Sequence, residues 1–203
     1  MPRPWRLAAK GDLRHDRRVI LGDRIRLRRI ERDDLPRCAT WVNDPEVRRH
    51  LAFLYPMSVA LEEKWFEQQM LAEPAAQPFA IDARAEAMVS DSVDPAWTPV
   101  GVCGFHALDW PNRQAELGLF IGNGEFRGAG YGADVVRTLV RWAFRTLNLN
   151  RVHLRVYEDN APAIRCYERC GFRLEGRQRQ SRFQDGRYLD TLLMAVLRDE
   201  WNL

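Results

Sequence analysis

The chain has 203 residues, of which 46% are hydrophobic and 29% charged, with a formal net charge of +3. That suffices for one domain with a substantial core, and a charge this small does not by itself argue for nucleic acid. No run of about 18 apolar residues is present to span a membrane, and the first residues lack the apolar centre of a secretory signal, so a cytoplasmic protein is expected.

Residues 1–22 carry Arg3, Arg6, Lys10, Arg14, Arg17 and Arg18, a basic extension read as solvated rather than as an arm on nucleic acid. The domain then runs from 23 to 203. Residues 23–31 alternate around Ile25 and Leu27 and predict a first strand. Asp33 and Asp34 start a helix whose apolar face is Leu35, Cys38, Trp41 and Val42, and the run Asn43-Asp44-Pro45 breaks it. Ser58 caps a second helix, with Leu61, Trp65, Phe66 and Met70 expected inside. Residues 77–84 form a second strand and residues 85–99, small and polar, an inserted loop.

A third strand spans 100–108, where Gly101 and Gly104 mark a bulge or close approach. The fourth, from Glu116 to Gly122, precedes a glycine-rich turn and an amphipathic helix from Asp134 to Leu147. Val152 to Tyr157 is the fifth strand, residues 161–169 a short helix stopped by Gly171, and two last strands flank a turn at Asp185-Gly186. The nearly continuous apolar run from 188 to 197 belongs inside the sheet. The order β-α-α-β-β-β-α-β-α-β-β predicts one mixed α/β domain with a central sheet of about seven strands flanked by helices. Cys38, Cys103, Cys166 and Cys170 lack metal-type spacing and are expected to be buried structural thiols; no metal is expected.

The most informative stretch is the turn Arg127-Gly128-Ala129-Gly130-Tyr131-Gly132, opening a helix. Small residues there let main-chain N–H groups point inward, and the helix N-terminus adds partial positive charge, so the turn suits a phosphate. The spacing also matches the dinucleotide fingerprint G-x-G-x-x-G/A, with Glu158 and Asp159 closing the next strand. Against that reading, Asn123 to Arg127 separate strand from turn, and hairpin-linked strands lie upstream instead of a βαβ start.

Arg127, Gly130 and Gly132 make the pattern Arg-x-x-Gly-x-Gly, and Asn160 is followed seven residues later by Tyr167 and then by Cys170-Gly171-Phe172. With Glu175-Gly176-Arg177 and Asp185-Gly186-Arg187, these segments resemble the GNAT acyltransferases, in the branch of ribosomal-protein N-terminal and spermidine acetyltransferases. The resemblance covers roughly residues 23–201. It implies a mostly antiparallel sheet splayed between the fourth and fifth strands, acetyl-CoA as cosubstrate, and direct transfer of the acetyl group to a primary amine on a small molecule or peptide. A non-catalytic acyl-CoA-binding module is the rival reading, and a dinucleotide-binding oxidoreductase a weaker one.

The resemblance further implies that main chain at Leu119, Phe120 and Ile121 meets the pantetheine arm and that residues 127–132 grip the diphosphate, with Arg127 adding charge. Asn160 would bond the cofactor arm or simply cap its helix. Tyr167 is the expected acid for the leaving thiolate, since a phenol stays protonated at neutral pH. Glu116 is the candidate base, with Asp109 as a substitute. His106 could relay a proton, a solvated histidine being the plainer reading. Ala163 stands where this branch often has serine. Glu62, Glu63 and Asp82 would favour cationic acceptors if they faced the site. Pairing through an edge strand leaves a homodimer open as a further partner.

Overall fold

A computed structural model describes residues 19–84 and 97–202. The basic residues up to Arg18 and most of the inserted loop lie outside the described residues. In chain order the elements are β1 (Val19–Leu21), β2 (Ile25–Arg29), α1 (Leu35–Asn43), α2 (Pro45–Arg48), α3 (Val59–Met70), β3 (Phe79–Arg84), β4 (Trp97–Asp109) and β5 (Gln114–Ile121). Then come α4 (Tyr131–Arg145), β6 (Arg151–Tyr157), α5 (Ala161–Arg169), β7 (Arg173–Gln184) and β8 (Arg187–Leu197).

Eight strands form one sheet in the order β1-β2-β3-β4-β5-β6-β8-β7. Only the β5–β6 neighbours run parallel, because α4 carries the chain from one to the other. The sheet starts at Val19, earlier than the expected boundary at residue 23. Val19-Ile20-Leu21 is a short β-branched and apolar run that pairs antiparallel with β2. Likewise β4 starts at Trp97 inside the expected loop, and Pro99 is tolerated because the β3–β4 register shifts beside it, between Ile81 and Asp82. Gly101 is required by a close approach: a Cβ there would sit 2.1 Å from the Phe120 carbonyl oxygen. The continuous apolar run becomes β8, paired on both sides by β6 and β7. Asp185 and Gly186 have φ of 49° and 80°, the pair of left-handed residues a tight hairpin turn wants.

Helices cover both faces. On one, α4 buries Val135, Val136, Leu139, Val140 and Ala143 completely against Phe105, Leu117 and Val152, each large aliphatic contributing roughly 1.5–3 kcal/mol. On the other, Leu35 and Cys38 of α1 and Phe66 of α3 pack on Ala80 and Val102. The buried line on α3 differs from the expected one. Leu61 is 47% exposed while Glu62 and Phe66 are buried, because the sheet-facing row of the helix runs through positions 62, 66 and 70. Among the described residues no helix is long and apolar enough to cross a membrane.

Candidate active site

The register between β5 and β6 decides where a site can form. Gln114, Ala115 and Glu116 pair with Arg151, Val152 and His153, and no further pairs follow. From Leu117 onward β5 stays on β4, with Leu119, Phe120 and Ile121 opposite Cys103, Val102 and Gly101, while β6 continues on β8. The sheet therefore opens at its middle. The Gly122 N–H bonds the Val100 carbonyl on β4 at 2.8 Å. By strand alternation the main chain of Phe120 also faces β4, and that of Leu119 and Ile121 faces the opening. Phe120 adds its side chain to the α1–α3 layer.

The glycine turn sits at the mouth of this opening. Gly128 and Gly130 have φ of 75° and 87°, and Gly130 is the N-cap of α4. Side-chain-bearing residues rarely adopt that backbone. A Cβ built on Gly128 or Gly132 would meet nothing within 4 Å, so the space before the turn is open to a ligand. The first bond into the helix runs from Asp134 N–H to Gly130 O at 3.2 Å, and the N–H groups of the first turn have no intrahelical carbonyl to bond. Residues 127–132 thus have the shape and polarity a diphosphate needs.

Arg127, the expected cation, lines the groove, yet its guanidinium is already occupied. The Arg127 guanidinium turns away, to Asp44 at 2.9 Å, Glu46 at 2.9 Å and the Gly122 carbonyl at 3.2 Å. It straps the α1–α2 corner to the end of β5. Arg24 stands there instead, donating to Ala129 O at 2.8 Å and lying 4.3 Å over the Tyr131 ring. Its backbone is fixed by Asp134 of α4, a carboxylate only 3% exposed that accepts from Asp23 N–H at 3.1 Å and Arg24 N–H at 2.7 Å. Neither Arg24 nor Asp134 was singled out from the sequence, because the contact spans 110 residues. The one signal was an acidic residue in the first turn of a helix that also opens on glycines.

Behind the turn, α5 presents the second set. The Asn160 side chain accepts from Ala163 N–H at 3.3 Å and so caps α5. Tyr167 is held by the helix end: its carbonyl accepts from Cys170 N–H and Phe172 N–H, both at 3.0 Å, and Gly171 turns with φ of 90°. Its ring packs 5.8 Å from that of Phe172. Burial, reinforced by the neighbouring thiols of Cys166 and Cys170, pushes its phenol well above the ordinary value. It therefore keeps its proton at any physiological pH. Cys166 is half-buried rather than buried, and the hydrogen bond it shares with Cys170 lowers its thiol. Burial pushes the Cys38 thiol up to about 12, which leaves it inert.

Leu119, Gly130, Gly132, Asn160 and Tyr167 line one groove of about 1560 Å³ together with His106, Glu116, Gly118, Glu62 and Trp65. Glu116 is 17% exposed at its side chain and holds Arg155 with both oxygens, at 2.8 and 3.2 Å. His106, opposite Glu116 on β4, leans over Gly118, where a Cβ would lie 2.7 Å from its Nε2. Asp109, the substitute considered for the base, is not among the residues lining the groove. It caps the β4–β5 turn through Asn112 and Gln114, and those hydrogen bonds hold its carboxyl low. Asp82 is equally taken, by Arg26 at 2.8 Å and Arg28 at 3.0 Å, and Glu63 is exposed. Of the three acids considered for a cationic acceptor, only Glu62 reaches the groove. Glu158, which a dinucleotide reading would turn toward a ribose, is occupied by Arg177 and the Asp190 N–H.

The geometry can be set beside known proteins. A family model described as an acetyltransferase (GNAT) domain matches residues 24–173. An uncharacterized N-acetyltransferase, p20, of Bacillus licheniformis is 28% identical over 185 residues, covering 90% of this chain and 98% of that one. Spermidine N(1)-acetyltransferase of Vibrio cholerae is 29% identical over 102 residues, half of this chain and 58% of the relative. The crystal structure of spermidine N-acetyltransferase from Vibrio cholerae in complex with CoA and spermine superposes with a TM-score of 0.74 at 25% identity, covering 87% of this chain and 97% of that one.

Proposed function

This chain belongs to the GNAT acetyltransferase family, and on that premise we propose how its groove moves the acetyl group of acetyl-CoA to a primary amine. The observation that carries the reading is the opening between β5 and β6, which ends at the Glu116–His153 pair with the glycine turn at its mouth. Main chain of Leu119 and Ile121 hydrogen-bonds the pantetheine arm as a further strand would. An N–H at the splay donates to the carbonyl oxygen as negative charge develops there. The diphosphate rests on residues 128–132, with Arg24 rather than Arg127 as the cation beside it. Asn160, besides capping α5, has its amide N–H free to reach the arm.

Tyr167 gives its proton to the departing thiolate, and its raised pKa ensures that it carries that proton. The amine enters from the α1–α3 side, where His106, lying over Gly118, and Glu116 flank the way in. Glu116 keeps Arg155 on both oxygens, which suits it to setting the charge of the acceptor site more than to taking a proton.

The acceptor is a single amine. Spermidine acetyltransferases are among the relatives, yet the groove here is lined by Arg165, Arg169 and Arg182, none with a carboxylate partner among the described residues, while Arg49, Arg155, Glu46 and Glu116 are already in ion pairs. A polycation would meet repulsion along that wall. The test is release of free thiol from acetyl-CoA with spermidine, benzylamine and a short peptide bearing a free N-terminus. Turnover of any amine with formation of its acetyl product supports the transferase, and faster turnover of spermidine than of both monoamines would refute the acceptor assignment. Tight binding of CoA without thiol release from any of them would favour a non-catalytic module.

A further inference from the structure

The acceptor half of the groove contains a carboxylate with no mate. Glu62, in the first turn of α3, is 4% exposed and lines the groove. Its side chain has no hydrogen bond or ion pair among the described residues, whereas Glu46 and Glu116 each hold an arginine there. Its own helix start is capped by Ser58, whose hydroxyl accepts from Leu61 N–H at 3.2 Å, so the carboxylate is not needed as a cap. An acid facing the same cluster as Phe66 interrupts an otherwise apolar row, and leaving it unpaired is destabilising. Sites that keep such a group do so where it acts.

We propose that Glu62 is the base of the reaction, taking one proton from the incoming ammonium so that the neutral amine can attack the thioester carbonyl. This rests on the transferase reading above. The balance is complete: the C–N bond forms as the C–S bond breaks. The second proton lost by nitrogen replaces the one Tyr167 gives to sulfur, and Glu62 returns its own proton to solvent.

The surroundings agree with the assignment. Burial alone lifts the Glu62 carboxyl above the usual carboxylate range, with no cation opposing it. Cys38 of α1 feels its charge, and that thiol is also within reach of Asp34, Arg37 and, from β2, Arg28. Arg49 and His50 from the segment after α2, and His106 and the Glu116–Arg155 pair from the sheet, line the same groove; Glu63 and Lys64 on α3 are exposed. Burial also lowers His50, the first and largest influence on it, so that ring stays neutral at physiological pH. Val42, Phe53, Met57 and Trp65 add apolar surface to the same groove, and Glu62 itself is largely withdrawn from solvent.

The test compares wild type, Glu62→Gln, Glu62→Asp and Glu116→Gln, with acetyl-CoA and whichever of spermidine, benzylamine or the peptide is turned over fastest. The expected result is a fall in kcat of about 100-fold for Glu62→Gln, with acetyl-CoA affinity unchanged. The acidic limb of the kcat/KM profile should flatten in Glu62→Gln, return in part in Glu62→Asp and persist in Glu116→Gln. A second readout does not depend on turnover. The folded-state pKa of Glu62 is raised, so its ionisation opposes folding above that pKa and ceases to do so as pH falls through it. Glu62→Gln should therefore melt higher than wild type at pH 8, with the gain disappearing toward pH 4. A Glu62→Gln enzyme of normal kcat, or an acidic limb abolished by Glu116→Gln alone, would overturn the assignment. Absence of thiol release from wild type with all three amines would instead sink the transferase reading, and this base with it.

Discussion

The cofactor half of the groove is made largely of main chain, while the acceptor half is made of side chains brought from four separate elements. In the first, Leu119 and Ile121 offer peptide groups and residues 128–132 offer a turn with two left-handed glycines. In the second, Glu62, Trp65, His106, Glu116 and Arg155 come from α3, β4, β5 and β6. A site of peptide groups tolerates side-chain drift and keeps one ligand; a site of side chains can change its ligand with a few substitutions. The contrast would let one fold keep its cofactor while taking different acceptors.

The largest expected effect falls where the halves meet. Tyr167→Phe should lower kcat by about 100-fold or more and leave acetyl-CoA affinity intact, measured by steady-state kinetics and calorimetry. Loss of cofactor affinity in this variant would mean that the ring is structural and that the two halves are not separable there.

Next is Asp134→Ala, which leaves the N–H groups of Asp23 and Arg24 without their buried acceptor. The stability loss should be about 2–3 kcal/mol by denaturant titration, with weaker cofactor binding because Arg24 loses its anchor. Unchanged affinity would remove Arg24 from the cofactor half. Gly130→Val comes third. Its φ of 87° and the Arg24 Nη2 atom, 2.9 Å from where a Cβ would lie, argue against any side chain. Acetyl-CoA affinity should fall roughly 10- to 30-fold, from strain of about 1–2 kcal/mol added to the lost fit. The smallest effect is that of Arg127→Ala, about 1 kcal/mol of stability from half-exposed ion pairs and less than a threefold change in the binary acetyl-CoA affinity. A tenfold loss would return that guanidinium to the phosphate.

The elements of the cofactor half were legible in the sequence because their signals are local. The glycines, the period of α4 and the Asn160–Tyr167 spacing lie within about 45 residues, and the splay of β5 from β6 was implied only by the family resemblance these segments carry. What was not legible depends on contacts between distant segments. The turn of Arg127 toward Asp44 and Glu46, the Asp134 tie to the β1–β2 hairpin and the capture of Glu116 by Arg155 have no pattern in the chain. Glu62 illustrates the limit most clearly. Its helix was readable, yet the sequence left the direction of this carboxylate open and placed Leu61 in the core. A helix of twelve residues has too few apolar positions for sequence alone to fix its rotation on the sheet.

Arg127 has one further consequence. Its main chain begins the cofactor turn while its guanidinium grips the corner that leads into the amine's side of the groove. Occupancy of either half should therefore be felt by the other through a single side chain. Each substrate should then tighten the other by an equal factor, visible as intersecting double-reciprocal lines whose crossing point moves toward the abscissa in Arg127→Ala.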